Sequence, residues 1–412
     1  MKLPFKKTIA GFLCISMIPI MMTGCKKKEI SYSHTDFAMG TVTNVTLYGT
    51  RDDLDQVEQN IINMEKKLER EQLSWRIKDS QISKMNQELE KNNGETKVTG
   101  DLKGWLEQAI KISRDSYADG RNTVDPTIGT LTRLWDFDSS DPKVPDANKI
   151  KQAISGDLSE NSQHVTVQEN GKILACDKNT KFDLGAFGKG IGTDEAIKLI
   201  KKEKGITGAM VALGGSIAIY GEKSDGSDWN VGIQDPNGQD GEVLGGVKVK
   251  GGTSISTSGD YEKTFTDKKT GKRYFHILDS KTGYSVKTDI RSCTIITDSG
   301  LNADGLSTAC FSLGVKKSQK LLKKYNAKAI FVDKNNNVYV SKGLDFTLTA
   351  KNYDLQWSLL YVRKRNKWIR EKQEFHDDFF TNRLFANFSF ATRFAQTANQ
   401  VCCEFVKKSM EF

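Results

Sequence analysis

From about residue 172 to residue 340 the sequence breaks into short apolar runs punctuated by glycine, and this texture constrains the fold more than any other feature. Runs at 172–176, 210–213, 217–220, 229–233, 253–258, 273–278, 293–297, 329–332 and 338–340 are too short for helices and suit strands. Helical spacing interrupts them over 192–202, 303–313 and 318–325. Ahead of this region, residues 42–48 alternate as a half-buried strand. Leu54, Val57, Ile61, Met64 and Leu68 then recur at helical intervals on one face. A second helix is expected over 102–117, with Trp105, Leu106, Ala109 and Ile110 turned inward and Gly120 ending it. Residues 136–163, polar and carrying Pro142 and Pro145, read as a long surface connection. Such an irregular mixture predicts an α+β fold of mixed sheets with packed helices rather than a regular βαβ repeat.

The formal charge of +9 invites a nucleic-acid partner, but its distribution argues against one. Six lysines and one glutamate sit in residues 1–29, and ten basic against six acidic residues sit in 357–412, which leaves the body between them near neutral. No basic groove for a phosphate backbone is indicated. The cysteines show no CxxC and no metal-type spacing, so Cys176, Cys293, Cys310, Cys402 and Cys403 read as buried or incidental thiols.

Both ends of the chain differ from the body. Lysines at the start lead into an apolar run over residues 9–22, too short to span a membrane comfortably as a helix. It ends in Met22-Thr23-Gly24-Cys25, which resembles the lipobox of bacterial lipoproteins. The resemblance implies a signal peptide over 1–24, a lipidated Cys25 and a short tether over 25–36, placing the protein on the extracytoplasmic face of a cell membrane. Residues 356–412 form an atypical extension: from Trp357 onward there is no glycine or proline, and nine of the twenty phenylalanines lie there.

Five segments carry residues that packing alone explains poorly: 37–41, 73–80, 122–129, 183–190 and 303–308. Within the fourth, Asp183-Leu184-Gly185-Ala186-Phe187-Gly188-Lys189-Gly190 is a glycine-rich turn entering a helix. Backbone N–H groups, the helix N-terminus and Lys189 together suit a phosphate, although a tight strand-to-helix packing turn would read the same way. It matches neither the Rossmann nor the P-loop spacing. In the fifth, Asp304 and Thr308 stand four apart on one helical face, a carboxylate and a hydroxyl able to share a hard cation such as Mg²⁺. The plainer alternative makes Asp304 a helix cap. His276 lies in Tyr274-Phe275-His276-Ile277-Leu278-Asp279, and beside a phosphate and metal site it becomes a candidate base.

Taken in order, these motifs resemble the ApbE family, FAD:protein FMN transferase. The resemblance is carried by Met39-Gly40-Thr41, the Asp-x-Thr-x-Gly of Asp125 to Gly129, Leu213-Gly214-Gly215, Ser258-Gly259-Asp260-Tyr261, the His-x-x-Asp of His276 and Asp279, and the Ala-Asp-x-x-x-Thr ending at Thr308. It runs over most of the span 37–355. It implies an ApbE-type, T-fold-like architecture with an FAD cleft between subdomains. FAD would be contacted by Met39, Trp75, Thr123, Val124, Asp125, Asp183, Lys189 and Leu278, and Mg²⁺ held by the Ala186 carbonyl, Asp304 and Thr308. Where some members carry aspartate, this chain has Ser307. The implied activity is Mg²⁺-dependent transfer of FMN from FAD to a threonine or serine hydroxyl of an exported or membrane acceptor protein, with release of AMP. His276, oriented by Asp279, is the expected base. An FAD pyrophosphatase using water as acceptor and a flavin-binding lipoprotein without turnover are the competing readings.

Overall fold

Nine strands form the principal sheet, and their order across it follows their order along the chain. The computed structural model describes residues 28–155, 161–175, 180–223, 225–239 and 241–358. By internal contacts the chain divides into Met1–Leu360 and Tyr361–Phe412, and every described residue belongs to the first unit. The expected signal and lipidation site at Cys25 fall outside the described residues, as does the Phe-rich extension from residue 359 onward; its first residues, 356–358, instead finish the last strand of the principal sheet, so the body runs past the expected boundary at 355.

The sheet strands are β1 (Ile30–Ala38), β2 (Thr41–Gly49), β3 (Ile206–Leu213), β4 (Ser216–Gly221), β5 (Ser254–Gly259), β6 (Ile290–Thr297), β7 (Lys328–Asp333), β8 (Asn337–Ser341) and β9 (Asp354–Ser358). All neighbours pair antiparallel except β8 with β9. The helices are α1 (Leu54–Leu68), α2 (Gln81–Lys91), α3 (Asp101–Asp115), α4 (Gly129–Trp135), α5 (Gly188–Ile200) and α6 (Gly300–Lys324). Helix α6 is interrupted at Gly314, whose backbone is non-helical. That break explains why the sequence pattern divides there into two helical stretches. Helices α1 to α5 all lie in the long insertion between β2 and β3. Strand Val243–Val249 pairs with Trp229–Gln234 on one side and Asp345–Leu348 on the other in a separate small sheet, and Thr264–Thr266 pairs with Arg273–Phe275 as a ribbon between β5 and β6.

Amphipathic faces place the core. Leu54, Val57, Ile61 and Leu68 of α1 are buried, and the largest apolar cluster joins α2, α3, α6 and the inner face of β6. Along β6, Cys293 and Ile295 point into that cluster while Ile296 joins the one on the sheet's other side, as strand alternation requires.

Two expectations change. The tether over 25–36 is strand β1 from Ile30 onward, paired residue for residue with β2. Most of β1 is exposed on both faces, so it carries no apolar alternation to reveal it. The surface connection over 136–163 contains the short helices Ala147–Ala153 and Asn161–His164. No helix among the described residues is long and apolar enough to cross a membrane.

Candidate active site

Helices α5 and α6 exchange carboxylates at their N-termini. The first turn of a helix leaves N–H groups without intrahelical partners. In α5, the Gly190 N–H donates to Oδ2 of Asp304 on α6 (2.9 Å). In return, Asp194 of α5 accepts from the N–H groups of Gly300 (2.6 Å) and Leu301 (3.0 Å) at the start of α6. Ser299 is the N-cap of α6, so Asp304 does not cap its own helix.

This exchange needs glycine. A Cβ on Gly190 would stand 2.1 Å from the Gly300 carbonyl oxygen, and one on Gly192 would stand 2.7 Å from Leu213 and 2.9 Å from the Met39 sulfur. Both glycines sit inside α5 and serve close packing. Only Gly185 belongs to the turn that faces the cleft. That turn is held by Asp183, whose carboxylate accepts from the Gly185 N–H (2.8 Å) and the Thr132 hydroxyl (2.7 Å).

Strand β5 supplies hydroxyls to the same place. Ser256 donates to Asp304 Oδ1 (3.1 Å), and Ser258 meets Ser307 (2.7 Å) and Thr308 (3.2 Å). Asp304, Thr308 and Lys189 thus converge on one wall of a cleft whose empty volume, counted to its open mouth, is about 1120 Å³. The Asp304 charge holds the Lys189 ammonium above its usual range, against the opposing effect of burial. Lys189 therefore stays cationic.

Opposite stand Trp75 and His276. A π-helical turn, Glu69–Leu73, extends α1 and delivers Trp75. The following loop is closed by Ser80, whose hydroxyl donates to the Ser74 carbonyl (2.6 Å) and caps α2. Two guanidinium groups lie over the Trp75 ring, Arg76 at 4.1 Å and Arg133 at 4.9 Å from its centroid. His276 Nδ1 is 3.1 Å from the Glu262 carbonyl oxygen. A carbonyl only accepts, so Nδ1 carries the proton and Nε2 keeps its lone pair. Burial, with Lys189 and Lys263 adding, pushes the imidazole down to about 4. It is neutral at physiological pH.

Of the residues singled out in the sequence, the cleft gathers Trp75, Thr123, Val124, Asp125, Asp183, Ala186, Lys189, His276, Leu278, Asp304 and Thr308. The Thr123 and Asp125 side chains face inward to the loop. Asp125 accepts from the Thr127 N–H (2.8 Å), the Thr127 hydroxyl (2.6 Å), Asn122 (3.0 Å) and the Ser162 hydroxyl, while Thr123 donates to the Ser116 carbonyl (2.9 Å). Two residues stand elsewhere. Met39 occupies the β1–β2 turn with a positive φ of 49° and packs beside Gly188 and Gly192 of α5. Asp279 does not orient His276: it accepts from the N–H groups of Lys281 and Thr282 and pairs with Arg121 at 3.1 Å. The His-x-x-Asp spacing makes a turn here, and the Glu262 carbonyl takes the orienting place.

Glu262, Lys263 and Asp138 also line the cleft and were not legible as site residues. Asp138 pairs with Arg76 (2.9 Å) and Lys263 (2.7 Å), tying three loops at the mouth. Glu262 follows Tyr261 of a quoted motif, and that adjacency was the one available signal. Asp138 lies in the polar connection, where nothing marked it.

Residues 39–331 match the ApbE family model. The chain is 28% identical to the FAD:protein FMN transferase of Treponema pallidum, over 81% of this chain and 93% of that protein. It is 26% identical to the protein of the same name from Haemophilus influenzae, over 82% of this chain and 96% of that one. Its fold superposes on the crystal structure of the ApbE protein from Thermotoga maritima with a TM-score of 0.66 and 27% identity, covering 76% of this chain and 97% of the other.

Proposed function

The chain belongs to the ApbE family, and from that premise we propose that it transfers FMN from FAD to a threonine or serine hydroxyl of an acceptor protein, releasing AMP. The observation that carries this reading is the convergence of Lys189, Asp304, Thr308 and a neutral His276 on one cleft with Trp75. An aromatic face suits a flavin ring, and a half-buried cation suits a pyrophosphate.

In the reaction the acceptor oxygen attacks the phosphorus nearest riboflavin. The new O–P bond forms as the bond to the bridging oxygen breaks, and AMP leaves with that electron pair. His276 takes the hydroxyl proton at Nε2, while Nδ1–H stays on the Glu262 carbonyl. An imidazole held near 4 is a weak base. Phosphate charge arriving beside Lys189 and Lys263 offsets the two cations that depress it. Lys189 meets charge building on the phosphoryl oxygens, and the Asp183 turn and Trp75 fix the nucleotide so that attack is in line.

The oxygen donors fit Mg²⁺. Asp304, Thr308 and the Ala186 carbonyl supply one carboxylate and two neutral oxygens, a set that binds this ion together with substrate phosphate. Both Asp304 oxygens accept one hydrogen bond each and keep a further lone pair. Among the described residues no three His, Cys, Asp or Glu side chains gather as a metal cage, so the remaining ligands of the ion would have to come from substrate phosphate and water. When bound, the ion would neutralise negative charge on the pyrophosphate.

We place the protein on the outer face of a membrane through lipid on Cys25, with exported or membrane proteins as acceptors. Since β1 begins at Ile30, the chain from Cys25 reaches at most about 18 Å, and the body stays near the bilayer. Incubation with FAD, Mg²⁺ and a threonine-bearing acceptor tests the reading. AMP should appear together with acceptor-linked FMN and little free FMN. Equal AMP and free FMN, with or without acceptor, would make the protein an FAD pyrophosphatase, and no AMP would make it a flavin-binding protein.

A further inference from the structure

The phosphate-binding wall holds one more carboxylate than the transfer chemistry uses. Asp304 accounts for itself, because its oxygens anchor α5 and β5 and belong to the proposed cation set. Glu262 does neither. Its backbone carbonyl serves His276, and the residue lines the cleft with its carboxylate beside the Gly214-Gly215 turn. A Cβ on Gly215 would lie 3.6 Å from Glu262 Oε1. Among the described residues neither Glu262 nor Lys189 forms an ion pair within 4.0 Å, whereas Lys263 is committed to Asp138 at 2.7 Å. The immediate charge around Lys189 is therefore two carboxylates against one ammonium.

Burial raises the Glu262 carboxyl, Lys189 draws it down, and Asp304 raises it again. Lys189 in turn feels Asp304 most strongly among its neighbouring charges and Glu262 next. The three groups share one field. Into it must come a pyrophosphate carrying two negative charges, in surroundings where charges several ångströms apart interact more strongly than in water.

We infer that Glu262 makes FAD binding conditional on a divalent cation, by repelling the pyrophosphate whenever the cation is absent from Asp304 and Thr308. The inference rests on the FAD-binding reading above and deepens it. An empty cleft with Lys189 alone would attract free nucleotide phosphates without the ion. With Glu262 present, Lys189 is compensated in advance and the dianion gains little by entering. Once a divalent cation sits beside Asp304 the balance reverses, and nucleotide and ion enter together. Glu262 is thus a specificity residue for the metal-loaded nucleotide, acting through charge.

Equilibrium dialysis of FAD against the full-length wild type and Glu262→Gln, each in Mg²⁺ and in EDTA, tests it. Wild type should bind well in Mg²⁺ and poorly in EDTA. Glu262→Gln should bind FAD in EDTA about tenfold or more tightly than wild type does, while the two stay within about threefold of each other in Mg²⁺. A side chain with only a packing role would weaken binding when altered, not strengthen it. Glu262→Asp, which keeps the charge, should keep the cation dependence, and Glu262→Ala should behave as the glutamine variant if that one misfolds. The inference is overturned if neither neutral variant binds FAD more tightly than wild type in EDTA. It is equally overturned if they lose FAD in Mg²⁺, which would make Glu262 a support or ligand of the ion. Failure of wild type to bind FAD in Mg²⁺ would instead sink the functional reading itself.

Discussion

Glu65 should make this fold lose stability as the pH rises from about 4.5 to about 8. The residue sits on the inner face of α1 at 0% exposure, and among the described residues neither carboxyl oxygen has a hydrogen-bond partner. Burial pushes its carboxyl up to about 8. The Thr43 hydroxyl, near enough to offset part of this, closes no hydrogen bond of ordinary geometry and is itself unpartnered. In the unfolded chain the group titrates near 4.5. Between those values the folded protein binds a proton that the unfolded chain has released, so stability is full below about 4.5 and falls as pH rises toward 8. The gap corresponds to about 5 kcal/mol if fully expressed, and to about 3 kcal/mol if water reaches the ionised form. Thermal unfolding of wild type and Glu65→Gln at several pH values isolates the term, because every other titrating group is common to both. The variant carries a fixed penalty of about 1–3 kcal/mol for its buried amide. Its melting temperature should nevertheless gain roughly 3–5 °C on wild type between pH 5 and pH 8. Parallel curves would refute the reasoning.

Three further outcomes follow, two from the geometry of the helices and the cleft and one from the proposed lipidation. Gly190→Ala should force α5 from α6, since its Cβ would meet the Gly300 backbone at 2.1 Å; it should cost about 1–3 kcal/mol or more and weaken FAD binding, whereas Gly104→Ala, with open space around it inside α3, should stabilise by about 0.5–1 kcal/mol. Trp75→Ala should weaken FAD binding by roughly 3- to 10-fold through loss of the stacking face, read by dialysis against unchanged melting. Cys25→Ala should move the protein from the membrane to the soluble fraction, read by fractionation, with FMN transfer per molecule unchanged.

Elements with strong periodicity were legible. The α1 pattern of Leu54, Val57, Ile61 and Leu68 matches the buried face of the helix, and six of the glycine-punctuated runs fall on β3 to β8, while those at 172–176, 229–233 and 273–278 fall on strands of the smaller sheets. Strand β1 was not legible, because its stability comes from pairing with β2 rather than from burying a face of its own. The candidate cleft was legible where an uncommon residue stands in a marked motif, as with His276, Asp304 and Lys189, which the structure brings together. It was illegible where backbone does the work. The Glu262 carbonyl that fixes His276 leaves no side-chain signature, so the nearby Asp279 took its place in the sequence reading. Gly190 suggested a phosphate cradle because close helix packing and anion binding demand the same absence of a side chain.

The central claim is that this cleft joins FMN to a protein hydroxyl with His276 as the base. Intact mass of a threonine-bearing acceptor, taken after incubation with FAD, Mg²⁺ and either wild type or His276→Ala, tests it most directly. Wild type should add the mass of FMN less one water, an acceptor lacking the threonine should stay unmodified, and His276→Ala should slow the addition by about 10²- to 10⁴-fold. Near-normal labelling by His276→Ala, or AMP release with the acceptor mass unchanged, would contradict the account.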